Sequence, residues 1–305
     1  MKTRVHGAKL LTSAGTALTL AIGALAAGQT ANAAGPPAVP LGTAANFAIL
    51  AGTPDVTNTG PTIVTGDLGI HPAAAVTGFT GPPDGTVVGT IHAADAVALQ
   101  AKSDLVTAYN VAAGATPVTV VAGGTLGGQT LVGGVYNSGG STLDLTGTLT
   151  LDAQNDPSSV WIFQATSDLI TASSSVVAFI NGAQPCNVFW QVTSSATLGS
   201  GSTFVGTILA LTSITMNDGV NVIGRALARN GNVTLINDII TRPTTCSVAG
   251  GASTSPGASI PNVATPARTE VSWSGPSPVV FAGFFLLALV VVIVSRRSRR
   301  AISAR

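Results

Sequence analysis

The sequence predicts a mainly β fold, a β-solenoid of short stacked strands with one long α-helix alongside. Three observations carry this. Charged residues make up only 8% of the 305 residues, against about a quarter in an ordinary soluble protein. Between residues 34 and 246, β-branched runs alternate with Gly, Asn and Asp, as strands joined by tight turns require. A motif also recurs near the end of that stretch. Ala196-Thr197-Leu198, Ile214-Thr215-Met216 and Val233-Thr234-Leu235 set their threonines 18 and then 19 residues apart.

The elements follow in chain order. Residues 1–33 read as a secretory signal. Lys2, Arg4 and Lys9 precede an apolar run from Ala17 to Ala27, and Ala31-Asn32-Ala33 forms a small-x-small cleavage site. Residues 34–246 form the exported domain. Its eleven Asp, without any Glu, outnumber Lys102, Arg225, Arg229 and Arg242 by seven. A surface of that sign repels phosphates, which excludes nucleic acid as a partner. Thr supplies 31 of these residues, a type that favours strands and keeps a hydroxyl available on an exposed face.

One segment departs from the strand pattern. Ala93 to Ala113 contains neither Gly nor Pro, and Ala94, Val97, Ala98, Ala101, Leu105, Ala108 and Tyr109 fall at helical spacing. The spacing predicts one amphipathic helix ended by Gly114, its Ala-rich stripe laid against a wall of strands. Cys186 and Cys246 are the only cysteines. In an oxidising compartment they most simply form one disulfide, with two free thiols as the alternative. With no Cys-x-x-Cys and only His71 and His92 in the domain, neither a metal site nor a cofactor is expected.

Residues 247–276 are rich in Ser, Gly, Pro and Ala and read as a flexible or semi-extended stalk. Residues 277–295 hold the uncharged run Val279–Val294, long enough with its flanks to be expected as a membrane anchor. Arg296, Arg297, Arg299 and Arg300 in the tail 296–305 mark the cytoplasmic side. The layout resembles a wall-sorted Gram-positive surface protein, but no LPxTG-type motif precedes the span. Simple membrane anchoring at a bacterial cell surface is therefore the expectation.

The repeat predicts a surface. Alternate strand residues point the same way, so Ala196/Leu198, Ile214/Met216 and Val233/Leu235 point inward. Thr197, Thr215 and Thr234 then point outward, together with Ser195, Ser213 and Asn232 two residues earlier. Strands stack about 4.8 Å apart and alternate residues lie about 6.6 Å apart, which gives a two-column array of hydroxyl and amide groups. Ladders of Thr, Ser and Asn that merely stabilise the stack would look the same.

LGTAANFAILAG (41–52), VTGDLGIHPAAAVTGF (64–79), GGQTLVGGVYN (127–137) and the long block 188–238 resemble the ice-binding-like protein family of cold-habitat bacteria, fungi and algae. The resemblance covers 41–246. It implies an irregular right-handed β-solenoid of triangular cross-section with a helix packed alongside, and one flat face that binds ice. Carried over position by position, the ice-contacting residues fall on Thr77, Asp144 and Thr234, and by stacking on Thr215 and Thr197. Ile170 is a candidate for the same face. Asp144 departs from the pattern, because a carboxylate holds its own hydration shell.

The resemblance implies an antifreeze or recrystallisation-inhibiting protein without enzymatic activity, a monomer whose partner is an ice crystal. A non-ice adhesin on the same scaffold is the alternative, since fold does not fix function. A polysaccharide-cleaving enzyme fits less well, because the Asp residues are scattered among turns. Arg225 and Arg229, four apart, suit a substrate clamp less well than a brace between strands.

Overall fold

The computed structural model of the chain describes residues 35–245. The segments 1–33, 247–276, 277–295 and 296–305, and Cys246, lie outside them. Among the described residues no helix is long and apolar enough to cross a membrane. The described residues form a mainly β fold, with parallel sheets of fifteen and seven strands and one α-helix among them.

The repeat becomes lateral pairing. Thr197 sits beside Thr215, and Thr215 beside Thr234. In the larger sheet Thr203 pairs with Asn221 and Ala210 with Ala228. The paired Gly206 and Gly224 show why glycine recurs at this interval. A Cβ on Gly224 would lie 1.8 Å from the Gly206 carbonyl oxygen, and Gly206 itself holds φ +112°.

The early strands are placed where local spacing does not put them. Asp55–Thr59 pairs with Val233–Ile236, and Ala75–Thr77 lies beyond it. Phe47–Ala51 fits between Asn221–Ala228 and Asp67–Ile70. The two ends of the domain thus meet within the sheets.

Alternate residues of the strands fill one core, while residues between them on part of the larger sheet join the helix in a second. Across the middle of the first, Tyr136 stacks on Phe163 (centroids 5.5 Å apart), Phe163 on Trp190 (4.1 Å), and Trp190 tilts on Phe204 (4.9 Å). The Trp161 and Trp190 indoles donate to the Leu131 and Val205 carbonyls, as buried indole N–H groups must find partners.

The helix runs Ala96–Ala113, and Asp95 caps it by accepting from Ala98 N–H at 2.8 Å. It begins three residues later than the spacing predicts, because Ala94 takes φ +54° and Asp95 supplies the N-cap. Val97 is exposed, not part of the inner stripe. Gly114 has φ −89°, so it ends the helix without the left-handed turn that favours glycine. Ala101, Leu105, Ala108, Tyr109 and Ala112 pack on Leu50, Val135, Ile162, Phe189, Leu209 and Leu227.

Lys102 is buried on that inner face, where its ammonium donates to the Ala228 and Arg229 carbonyls. Burial, with Arg229 nearby, pulls it down to about 8. Gln164 reaches the same helix from the sheet, donating to the carbonyls of Ala112, Ala113 and Ala115.

Asp238, fully buried, ties strands together by accepting from Val220 N–H and Ile236 N–H at 2.8 Å each. Burial pushes its carboxyl up to about 7. The folded state therefore holds this proton more tightly than the unfolded chain. That contribution is complete below the ordinary value of 3.8 and is lost as pH rises toward about 7. Asp238→Asn should remove this slope while leaving one N–H facing an amide NH2. The variant should be less stable at pH 4.5, and its deficit should shrink by pH 7.5 in urea titrations. A deficit that stays constant across that range would rule the account out.

Candidate functional site

The smaller sheet assembles the candidate site. Its strand order is Leu143–Leu145, Leu169–Thr171, Ala196–Leu198, Ile214–Met216, Val233–Ile236, Asp55–Thr59 and Ala75–Thr77. The register aligns one central residue from each strand: Asp144, Ile170, Thr197, Thr215, Thr234, Thr57 and Thr77. Five threonines therefore stand on five adjacent strands. Thr125 adds a bridge beside Asp144 at the far end.

Burial fixes the facing. The residues on either side of Thr197, Thr215 and Thr234 are buried, while the three threonines are half-buried. Thr57 is half-buried too, Thr77 is exposed, and Ile170 is 43% exposed. The inner positions are not wholly apolar as the alternation predicts. Thr171 and Asn58 also point in, and each finds partners there: the Thr171 hydroxyl accepts from Gly199 N–H, and the Asn58 amide donates to the Gly60 and Gly78 carbonyls.

Ser195, Ser213 and Asn232 form a second line beside the row. Their carbonyls accept from Leu169, Ala196 and Ile214 N–H at 3.1, 3.0 and 3.0 Å. The Ser195 hydroxyl accepts from Ser213 N–H at 3.3 Å. Thr234 is held from two sides, its hydroxyl accepting from Asn232 Nδ2 at 3.2 Å and from Thr57 Oγ1 at 3.4 Å. Such bonds fix rotamers before any ligand arrives.

Carboxylates stand toward both ends of the sheet, Asp144 at one and Asp55, half-buried two residues before Thr57, at the other. Asp144 accepts from the Thr146 hydroxyl at 2.9 Å. Asp168 lies one strand on, and the Ser195 N–H and Ser194 hydroxyl hold its carboxyl below the usual carboxylate range. The five-threonine half carries no charged residue in its row.

Thr57 escapes the sequence repeat because its strand joins the last one across 177 residues. Ile170 lies in register between Asp144 and Thr197.

Elsewhere the chemistry is structural. Arg225 is buried and donates to the Ala45 carbonyl and the Thr207 hydroxyl. Burial and neighbouring Arg242 pull its guanidinium down to about 10. Arg229 instead lies 5.3 Å over the Tyr109 ring, so the two arginines do not form a shared clamp. His92 pairs with Asp95 at 2.7 Å and packs edge-on against Phe47. Among the described residues no group of His, Cys, Asp or Glu is arranged to hold a metal ion.

Comparison with known proteins gives the relatives of the chain. Residues 49–241 match the ice-binding-like family. An ice-binding protein of Nostoc sp. is 52% identical over 196 residues, covering 64% of this chain and 71% of the relative. One from Colwellia sp. is 35% identical over 257 residues, covering 80% and 97%. Among solved structures, an ice-binding protein from an Antarctic biological consortium superposes with TM-score 0.64 at 44% identity, over 67% of this chain and 90% of that one. That of the ascomycete Antarctomyces psychrotrophicus gives 0.63 at 38% identity, over 68% and 100%. These relatives are named as ice-binding proteins, not as enzymes.

Proposed function

The chain belongs to the ice-binding-like family, and from that premise we propose that it adsorbs to ice through the row Thr197, Thr215, Thr234, Thr57 and Thr77. The observation that carries the reading is their placement on five adjacent strands in one register. Strand geometry spaces them about 4.8 Å apart, with Ser195, Ser213 and Asn232 as a second column. Each contact is weak, but a rigid array engages many at once, so dissociation requires all to break together. Adsorbed molecules force the growing front to bulge between them, which lowers the freezing point and slows recrystallisation.

The scaffold in this reading is a right-handed β-solenoid of triangular cross-section, its threonine face flat. The 18–19-residue repeat and the parallel pairing of its copies support it. The signal 1–33 exports the domain. The stalk 247–276, the anchor 277–295 and the cytoplasmic tail 296–305 hold it at the cell surface as a monomer. Cys186 lies in the turn Pro185–Asn187 ahead of a buried strand. No described cysteine is free, and the one other thiol in the chain is Cys246. A Cys186–Cys246 disulfide would fasten the end of the domain to its body.

The direct test is thermal hysteresis and ice-crystal shaping by the full chain. Unshaped crystals and no hysteresis at millimolar protein would overturn the reading in favour of a non-ice adhesin. Asp144 supplies a finer test. Its carboxylate orders water around a charge, so Asp144→Thr should remove that charge from the register line, two strands from Thr197, and raise hysteresis modestly. A fall in activity on that change would place Asp144 among the groups that contribute to binding.

A further inference from the structure

Each threonine-bearing strand turns into a strand of the larger sheet, and beyond Ala196–Leu198, whose following strand Thr203–Ala210 buries Val205, the receiving strands carry exposed outer residues. Ile214–Met216 leads to Asn221–Ala228, Val233–Ile236 to Ile239–Thr241, Asp55–Thr59 to Ile63–Thr65, and Ala75–Thr77 to Thr86–Val88. These four receiving strands pair in that same order. Their register sets Asn221, Ile239, Ile63 and Thr86 in one line, and Ile223, Thr241, Thr65 and Val88 in another. Val222, Ile240 and Val64 between them are buried, so the two lines face outward. Ile223, Ile239, Ile63 and Val88 are 41, 46, 45 and 56% exposed.

Strand propensity accounts for β-branched residues here. It does not require all eight outward residues to be uncharged, nor four of them to be Ile or Val left 41–56% exposed side by side. The size of this patch argues against a protein partner. Four strands and two residues along each span about 15 by 7 Å, far short of the roughly 800 Å² per partner of a stable protein interface. Ice adsorption is instead a sum of small contacts over a rigid, regularly spaced array, to which a patch of this size can add. The patch repeats at the same interval as the threonine row, on consecutive strands, and every one of its residues except Asn221 offers the same group: a methyl branching from Cβ.

We infer that these two lines form a second ice-contacting surface, used by a front that meets the molecule on that side. The inference rests on the proposed ice adsorption, and its test separates the two. The fluorescently labelled full chain is bound to a single-crystal ice hemisphere, and hysteresis is measured alongside. Thr241→Tyr and Ile63→Lys alter the second surface, and Thr215→Tyr alters the threonine row. Both second-surface variants should lower hysteresis about twofold through lost contacts. They should also remove part of the bound-plane pattern that Thr215→Tyr retains. Thermal melts identify any variant that loses activity by unfolding, and the remaining second-surface variant then decides. If both fold and match the unaltered chain while Thr215→Tyr loses activity, the second surface is overturned and the threonine row stands. If all three match it, ice adsorption through either surface is overturned.

Discussion

Thr215→Tyr is expected to abolish most of the hysteresis while leaving the fold intact. Thr215 occupies the middle strand of the seven-stranded sheet, with Thr197 and Thr234 directly beside it. A tyrosine there projects a ring several ångströms beyond the neighbouring methyls. It lifts the ice plane off both, so the substitution removes several contacts rather than one. Each lost contact is worth only about 1 kcal/mol, but three together weaken a simultaneous attachment by about two orders of magnitude. The strand tolerates the change, since aromatic residues suit exposed strand positions and surface substitutions usually shift stability by about 0.5 kcal/mol or less. Thr107→Tyr, on the exposed side of the helix, is the control and should retain activity. Equal hysteresis in the Thr215 and Thr107 variants would sink the assignment of the face.

Trp190→Ala should destabilise the domain by about 3–5 kcal/mol, the usual range for deleting a large buried aromatic. The indole lies between Phe163 and Phe204 and donates to the Val205 carbonyl at 2.9 Å. Its removal leaves a cavity in the aromatic ladder and a buried carbonyl without its partner. Trp190→Phe keeps the ring contact and loses the hydrogen bond, so it should lose only about 1–2 kcal/mol. Urea midpoints at one pH measure both, and equal losses would show that ring volume is not the controlling quantity. The folded Trp190→Phe protein should show unchanged hysteresis per molecule, because the ladder supports the face without touching it.

What the sequence discloses divides along chain separation. The repeats at 197, 215 and 234 are legible because neighbours in the sheet are neighbours in the chain, one interval apart. Thr57 beside Thr234 is not, because no local pattern encodes a pairing across 177 residues. The same limit explains why the row looks three threonines long from spacing and five long in the structure. The helix is legible from its lack of Gly and Pro, but its start is not, since Asp95 decides it through a single side-chain bond. Lys102 defies the polar-outward rule because its aliphatic stem packs inward while its ammonium reaches two strand carbonyls. Thr171 and Asn58 defy it for a related reason, with backbone groups of neighbouring turns as their partners.

The placement of Asp55–Thr59 next to Val233–Ile236 also governs when the row comes into being. During synthesis the amino-terminal strands leave the ribosome with an open edge and must wait for the final coil to be translated before they can dock. A premature stop or a proteolytic cut that removes residues 233–241 would take out one threonine of the row, Thr234. It would also separate Thr57 and Thr77 from Thr197 and Thr215, splitting the array into two short fragments. Quality control is thereby built into the connectivity: only a chain made to its last strand displays the uninterrupted row.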